Sequence, residues 1–245
     1  VTAGPARLPQ PSSDGLDRWI ARQRRLSVAG LLRCISRTDL IKHRPELGRD
    51  VRPAPGSVLA SPGLGDYDPE PDYFFHWIRD SALVVDALRQ LHEAGDRTAD
   101  WPAVLHDILT FTRGLAGLDG SRLVTADGWS RGDEATARLV RRPAAELAAV
   151  RGDRVAGDVR YNPDGTLDVK PWARPQHDGP ALRALALLRW RATEGLSDRA
   201  TLDLLDEQIE ADLTFVHDHR HERCFDLWEE KLGRHYHTIL VQLAA

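Results

Sequence analysis

Three short stretches of this chain gather side chains able to do acid–base chemistry on a polyol. Asp226-Leu227-Trp228-Glu229-Glu230 sets carboxylates beside an indole. Apolar contact disfavours a carboxylate ion and a neighbouring negative charge disfavours it further, so this setting suits an acid that stays protonated near neutral pH. Pro71-Asp72-Tyr73-Phe74-Phe75-His76-Trp77-Ile78-Arg79-Asp80 and Trp172-Ala173-Arg174-Pro175-Gln176-His177-Asp178-Gly179-Pro180 each pack aromatic, Arg and Asp residues into ten positions or fewer. Guanidinium N–H groups and Asp oxygens suit the hydroxyls of a terminal sugar, and aromatic faces suit its ring. Together the three stretches point to a carbohydrate site.

Each stretch also has a plainer reading. Arg79-Asp80 is equally a surface Arg beside a helix-capping Asp, and Tyr73, Phe75 and Trp77 are equally core. Trp172, Arg174, Gln176 and Asp178 alternate along an extended run and so face one side, or they belong to a Pro-punctuated linker whose Asp178 caps the next helix. Asp226 shares a face with Glu229 or Glu230 if the segment is helical, whereas a loop splays them; two adjacent Glu by themselves read as a solvated pair. His217, His219, His221, His235 and His237 match no His/Glu zinc motif, so no metal site is expected. Gly63-Leu64-Gly65 lacks the third Gly of a dinucleotide fingerprint, and no Ser or Cys nucleophile motif is present. The expected chemistry needs no cofactor.

The elements that must position these residues read as helical. Residues 1–12 are Pro-rich and small, an expected flexible arm before Ser13 or Asp14 caps a helix carrying Leu16, Trp19, Ile20, Leu26, Leu31 and Leu32 and ending near Ser36. Residues 43–72, rich in Pro and Gly, read as a long loop delivering Tyr73 to Asp80 at a helix entrance. Apolar periodicity predicts helices over residues 81–91, stopped by Gly95, and over residues 101–115, capped by Asp100. Residues 119–177 read as irregular, with a short helix around 144–150 and a turn at Asn162-Pro163-Asp164-Gly165. Helices then follow from Asp178 to about Ala192, with Pro180 in the first turn, from Leu202 to Phe215, and from His235 to Ala245. That last helix is still apolar where the chain stops, without cap or polar tail.

Composition narrows the field. A chain of 245 residues with a net charge of -4 has room for one large core and lacks the basic, aromatic-interleaved blocks of a nucleic-acid or anionic-membrane binder. The longest apolar runs fall far short of the roughly 20 residues that span a bilayer. No basic-then-apolar leader precedes the first helix, so a secretion signal is absent or removed, and localisation stays open. Cys34 and Cys224 read as thiols rather than a pair. Lys accounts for only Lys42, Lys170 and Lys231 among 33 basic residues, which hints at a GC-rich bacterial genome.

Taken together, Ala60-Ser61-Pro62 with Pro71 to Asp80, Tyr161-Asn162 with Trp172 to Pro180, and Asp226 to Glu230 with Tyr236-His237-Thr238 and Val241-Gln242 resemble glucoamylases, the inverting glucan 1,4-alpha-glucosidases of glycoside hydrolase family 15. The resemblance implies an all-α fold, an (alpha/alpha)6 barrel of which only the first half is present, with residues 13–245 as the N-terminal part of a single catalytic domain. It implies exo-acting release of glucose from non-reducing ends of alpha-linked glucans. Trehalose or isomaltose cleavage on the same scaffold, and a non-catalytic sugar-binding or regulatory barrel, are the alternatives. Glu229 would be the general acid, with Asp226 and Glu230 shaping its surroundings and holding sugar hydroxyls. Tyr73 and Trp77 would wall the pocket, Trp228 would bind substrate, Arg79 and Asp80 would hold the terminal glucose, Trp172 would pack beside the acid, and Arg174 would lie near the neighbouring subsite. Phe75, Ala173 and Ile78 depart from the fungal pattern of Tyr, Gly and Thr. The water-activating base would come from the second half of the barrel, beyond residue 245.

Overall fold

The computed structural model describes residues 13–66, 71–125 and 141–245, so the arm expected over residues 1–12 lies outside the described residues. Two compact units are present, residues 1–33 and 34–245. In the first, helix α1 spans Ser13–Leu32, ending a turn earlier than expected, and Leu16, Trp19, Ile20 and Leu26 are exposed along it.

In the second unit the helices follow the apolar periodicity closely. Helix α2 (Ile78–Glu93) starts three residues before the expected entrance, which puts Asp80 inside the first turn and makes Trp77 its N-terminal boundary. Helix α3 (Trp101–Leu115) has the expected bounds, and Asp100 accepts from the Ala103 N–H, satisfying one of the free donors at a helix start. Two short helices, α4 (Gly120–Thr125) and α5 (Ala144–Ala148), pack on each other. Helix α6 (Asp178–Arg191) holds Pro180 in its first turn, α7 (Arg199–His219) is capped by Asp198 through the Thr201 N–H, and α8 covers Tyr236–Ala244.

Helices α2, α6 and α8 form one row with α6 in the middle, while α3 and α7 form a second row behind α2 and α6. Leu88 of α2 and Ala184 and Leu187 of α6 are fully buried, and burying a leucine contributes roughly 1.5–3 kcal/mol. Polar contacts fix the register: Trp190 Nε1 donates to the Val85 carbonyl at 2.8 Å, and Arg183 meets Asp212 of α7 through two hydrogen bonds of 2.8 and 2.6 Å. Gly179 lets the starts of α2 and α6 touch. A Cβ there would stand 3.0 Å from Ile78 Cγ2 and 3.3 Å from the Arg79 nitrogen.

Among the described residues, three two-stranded ladders brace the connections. Strands β1 (Lys42–Arg44) and β2 (Arg49–Val51) form an antiparallel hairpin inside the stretch expected as an unbroken loop. The pattern hid it because the inward positions carry charge: Lys42 and Arg44 are buried, bonded to Asp66 and Asp72, where a strand reading looks for apolar residues. Strands β3 (His76–Trp77) and β4 (Arg160–Tyr161) pair His76 with Tyr161 and Trp77 with Arg160. Strands β5 (Cys224–Phe225) and β6 (Leu232–Gly233) close residues 226–231 into a loop. The turn at Asn162–Gly165 forms as expected, with Gly165 at φ +86°. Cys34 and Cys224 are not joined in a disulfide. Among the described residues no helix is long and apolar enough to cross a membrane.

Candidate active site

The first turns of α2, α6 and α8 converge. Arg79 of α2 donates through Nη1 to Asp178 Oδ2 of α6 at 3.0 Å, and His237 Nε2 of α8 lies 3.7 Å from the same oxygen. Ahead of this junction opens a cleft of about 390 Å3 lined by Ala60, Tyr73, Trp77, Arg79, Asp80, Leu227, Trp228 and Glu229. Its size is that of a small-molecule site. Six of the ten residues singled out in the sequence therefore meet in one place.

Glu229 sits where three segments meet. Trp77 Nε1 and Arg79 Nη2 each donate to its Oε1 at 3.3 Å, and Gln176 Nε2 donates to the same oxygen at 2.9 Å. Gln176 is fixed in turn, because its Oε1 accepts from Arg79 Nη1 at 2.7 Å and its amide nitrogen donates to the Ala173 carbonyl at 3.1 Å. A glutamine in a Pro-punctuated run carries no sign of this role; only its alternation with Trp172 and Arg174 placed it on the right face. The backbone at Glu229 is left-handed, φ +64°. A non-glycine residue held there is under local strain, a pattern found at functional positions.

The electrostatics of the junction are crowded with acids. Burial, aided by Glu229 and Asp178, raises the pKa of Asp80 above the ordinary carboxylate value despite the adjacent Arg79. Burial works against the Arg79 cation, but Asp178 and Glu229 outweigh it and hold its pKa above the ordinary value. Asp80 thus faces the cleft as an oxygen acceptor and Arg79 as a fixed donor. Tyr73 and Trp77 meet edge to face with centroids 5.8 Å apart, forming one wall.

The other four singled-out residues stand elsewhere. Trp172 does not line the cleft: it stands edge-on behind Trp77 at 5.8 Å, so the indole beside Glu229 is that of Trp77. Arg174 is committed to Asp158 at 3.0 Å, Asp168 at 2.7 Å and the Lys170 carbonyl at 3.1 Å, so its guanidinium is engaged within the protein and does not line the cleft. Asp226 turns inward on its own loop, its Oδ1 accepting the Glu230 N–H at 2.8 Å and the Lys231 N–H at 3.3 Å; it shapes the loop rather than facing the cleft. Glu230 is exposed outside the cleft, and Trp228, 75% exposed, is a lip rather than a cover for Glu229. A loop splays what a helix would have brought to one face. Among the described residues, no group of three or more His, Cys, Asp or Glu is placed to hold a metal ion.

Comparison with known proteins meets the same segments. Glucoamylase S1 of Saccharomyces cerevisiae is 31% identical over 243 residues, covering 95% of this chain and 26% of that protein. The intracellular sporulation-specific glucoamylase of the same yeast is 31% identical over 243 residues, covering 95% and 37%. The chain thus spans only about a quarter to two fifths of the length of these relatives. Among solved structures, glucoamylase from Saccharomycopsis fibuligera matches with a TM-score of 0.62 and 26% identity over 93% of this chain and 42% of that one. Hormoconis resinae glucoamylase matches with a TM-score of 0.62 and 25% identity over 93% and 33%. Those structures are (alpha/alpha)6 barrels, and this chain has part of that fold. The relatives are yeast and fungal, so the bacterial source suggested by the basic-residue usage gains no support from them. The profile of glycosyl hydrolases family 15 matches residues 45–114 and 151–245, which takes in two of the stretches that line the cleft and the Gln176 stretch, and this chain belongs to that family.

Proposed function

We propose that this chain carries the acid side of an exo-acting glycoside hydrolase, one that frees glucose from the non-reducing ends of alpha-linked glucans or oligosaccharides with inversion. The names of the relatives described above, which are glucoamylases, favour that substrate class. The observation that carries the reading is the convergence of three N–H donors on Glu229 Oε1 beside the cleft. Donors occupy the lone pairs of that oxygen, so a proton on the neutral carboxyl sits on Oε2. Oε2 is then the atom that hands a proton to the leaving glycosidic oxygen.

The remaining roles follow from what each group offers. Arg79 donates to and Asp80 accepts from the hydroxyls of the terminal glucose, while Tyr73 and Trp77 stack on it and Trp228 guards the entrance. Residues 13–245 are taken as part of one catalytic domain, in keeping with matches that cover 95% of the chain. Inversion needs a second carboxylate roughly 6.5–9.5 Å from the acid to activate water. This reading assigns it to the second half of the barrel.

Proton NMR of this chain completed by the second half of the barrel, with maltotriose and with isomaltose and trehalose in parallel, tests the reading. Beta-glucose as the first product is expected. Alpha-glucose first would overturn inversion, and release from trehalose alone would move the activity to that sister specificity. Saccharide binding without any turnover would point to a binding barrel.

A further inference from the structure

The wall that carries the Trp77 indole is anchored from behind. Arg160, 2% exposed, is the cross-strand partner of Trp77, and partners across a ladder present their side chains on the same face. Its guanidinium carbon lies 3.6 Å from the ring centroid of Trp172, 4.2 Å from that of Phe75 and 4.9 Å from that of Trp77. Nε donates to Asp168 at 2.7 Å, and Asp168 Oδ2 also accepts from Arg174 at 2.7 Å. Nη1 is buried without a hydrogen-bond partner. Buried N–H groups normally find an acceptor, and an aromatic face serves a cation as one.

We propose that Arg160 is a positioning residue for the cleft: one planar cation, held by Asp168, keeps Trp172, Phe75 and Trp77 at fixed angles, and so keeps the Trp77 N–H on Glu229 Oε1. The role rests on the reading of Glu229 as the acid. If the Trp77 ring turns, its N–H leaves Oε1, and the wall of the cleft turns with it. Lysine keeps the charge but has no planar face to lay on three rings while pairing with Asp168.

The test follows the Trp77 indole N–H in proton–nitrogen NMR of the 245-residue chain, with Trp77→Phe identifying the resonance. In the wild type, Glu229→Gln should shift that resonance, because the acceptor changes. In Arg160→Met the fold should persist, since Asp168 keeps Arg174, but the Trp77 resonance should move and lose its response to Glu229→Gln. Maltotriose affinity should fall by up to about thirtyfold, the scale of a desolvated cation–π contact. Arg160→Lys should leave the resonance displaced, and it carries the test if Arg160→Met does not fold. A Trp77 resonance that keeps its position and its response to Glu229→Gln in a folded Arg160 variant overturns the proposal. Failure of the wild type to bind maltotriose would instead overturn the functional reading, while the resonance still decides the role of Arg160.

Discussion

Arginine meets carboxylate in two parts of this molecule. Behind the aromatic wall, Arg142, Arg160 and Arg174 interleave with Asp158 and Asp168, all buried or nearly so, with contacts of 2.7–3.1 Å. At the cleft, Arg79 is shared between Asp178 and Glu229 while Asp80 waits beside it. In the first region both aspartates are saturated by guanidinium groups, and the cluster can only hold loops together. In the second, donors crowd onto one oxygen of Glu229, and Asp80 faces open space. Oxygen left without a partner is what a substrate hydroxyl could use. Burial raises the pKa of Asp158 in spite of its two arginines, whereas Asp168, equally buried, is held below the ordinary range by Arg160 and Arg174.

The contrast breaks first at Glu229. Glu229→Gln should cut turnover of maltotriose by about a thousandfold, the scale of a lost general acid, while calorimetry finds binding nearly unchanged. Equal turnover in the two proteins would sink the acid assignment. Asp168→Asn should act chiefly on stability, stranding Arg160 without its ionic partner. A loss of about 3 kcal/mol in urea unfolding is expected, since breaking a buried pair uncovers a charge. A change near zero would show that the network contributes little.

Acid sharpens the comparison. Burial, reinforced by the Arg183 charge, holds the buried His76 at a pKa of about 3 against the ordinary 6.5, and burial with His219 nearby holds His177 at about 4. The unfolded chain therefore takes up protons that the folded one refuses. Their contribution to stability is complete above pH 6.5 and shrinks as the pH falls, by up to about 1.4 kcal/mol per pH unit for each group. Asp72, held well below the usual carboxylate range by Arg44, Lys42 and Lys170 in the face of burial, keeps its contribution until much stronger acid. Unfolding midpoints compared at pH 7 and pH 5 should thus follow histidine. His76→Phe should flatten the slope, and an unchanged slope would contradict its buried neutral state.

The smallest effect belongs to the loop between β5 and β6. Asp226→Ala frees the N–H groups of Glu230 and Lys231, letting Glu229 drift. Turnover should fall about tenfold with little change in maltotriose affinity, the mark of a misplaced reacting group. A loss of affinity instead would mean that Asp226 touches the sugar after all.

Much of the helical frame was legible because helices announce themselves through local signals: Asp100, Pro180 and the apolar spacing of Leu83 to Leu91 lie within a few residues of what they control. The Glu229 stretch stands out in the sequence too, through the company of Trp228 and Glu230, although neither covers that carboxyl group in the fold. What escaped depends on distant partners. Arg174 resembles a sugar ligand until Asp158, 16 positions upstream, and Asp168 claim it. Arg160 looks like any surface arginine until Trp172 and Phe75 close over it. The β1–β2 hairpin was invisible because its inward side chains, Lys42 and Arg44, obey ion pairing rather than hydrophobicity.

The left-handed backbone at Glu229 sets stability against function in the history of this position. For most residues that conformation costs about 1–2 kcal/mol, and glycine adopts it freely. A glutamate codon lies one base from a glycine codon, so a single nucleotide change both relaxes the loop and removes the carboxyl group. Selection for a sturdier protein, acting alone, would therefore favour erasing this side chain.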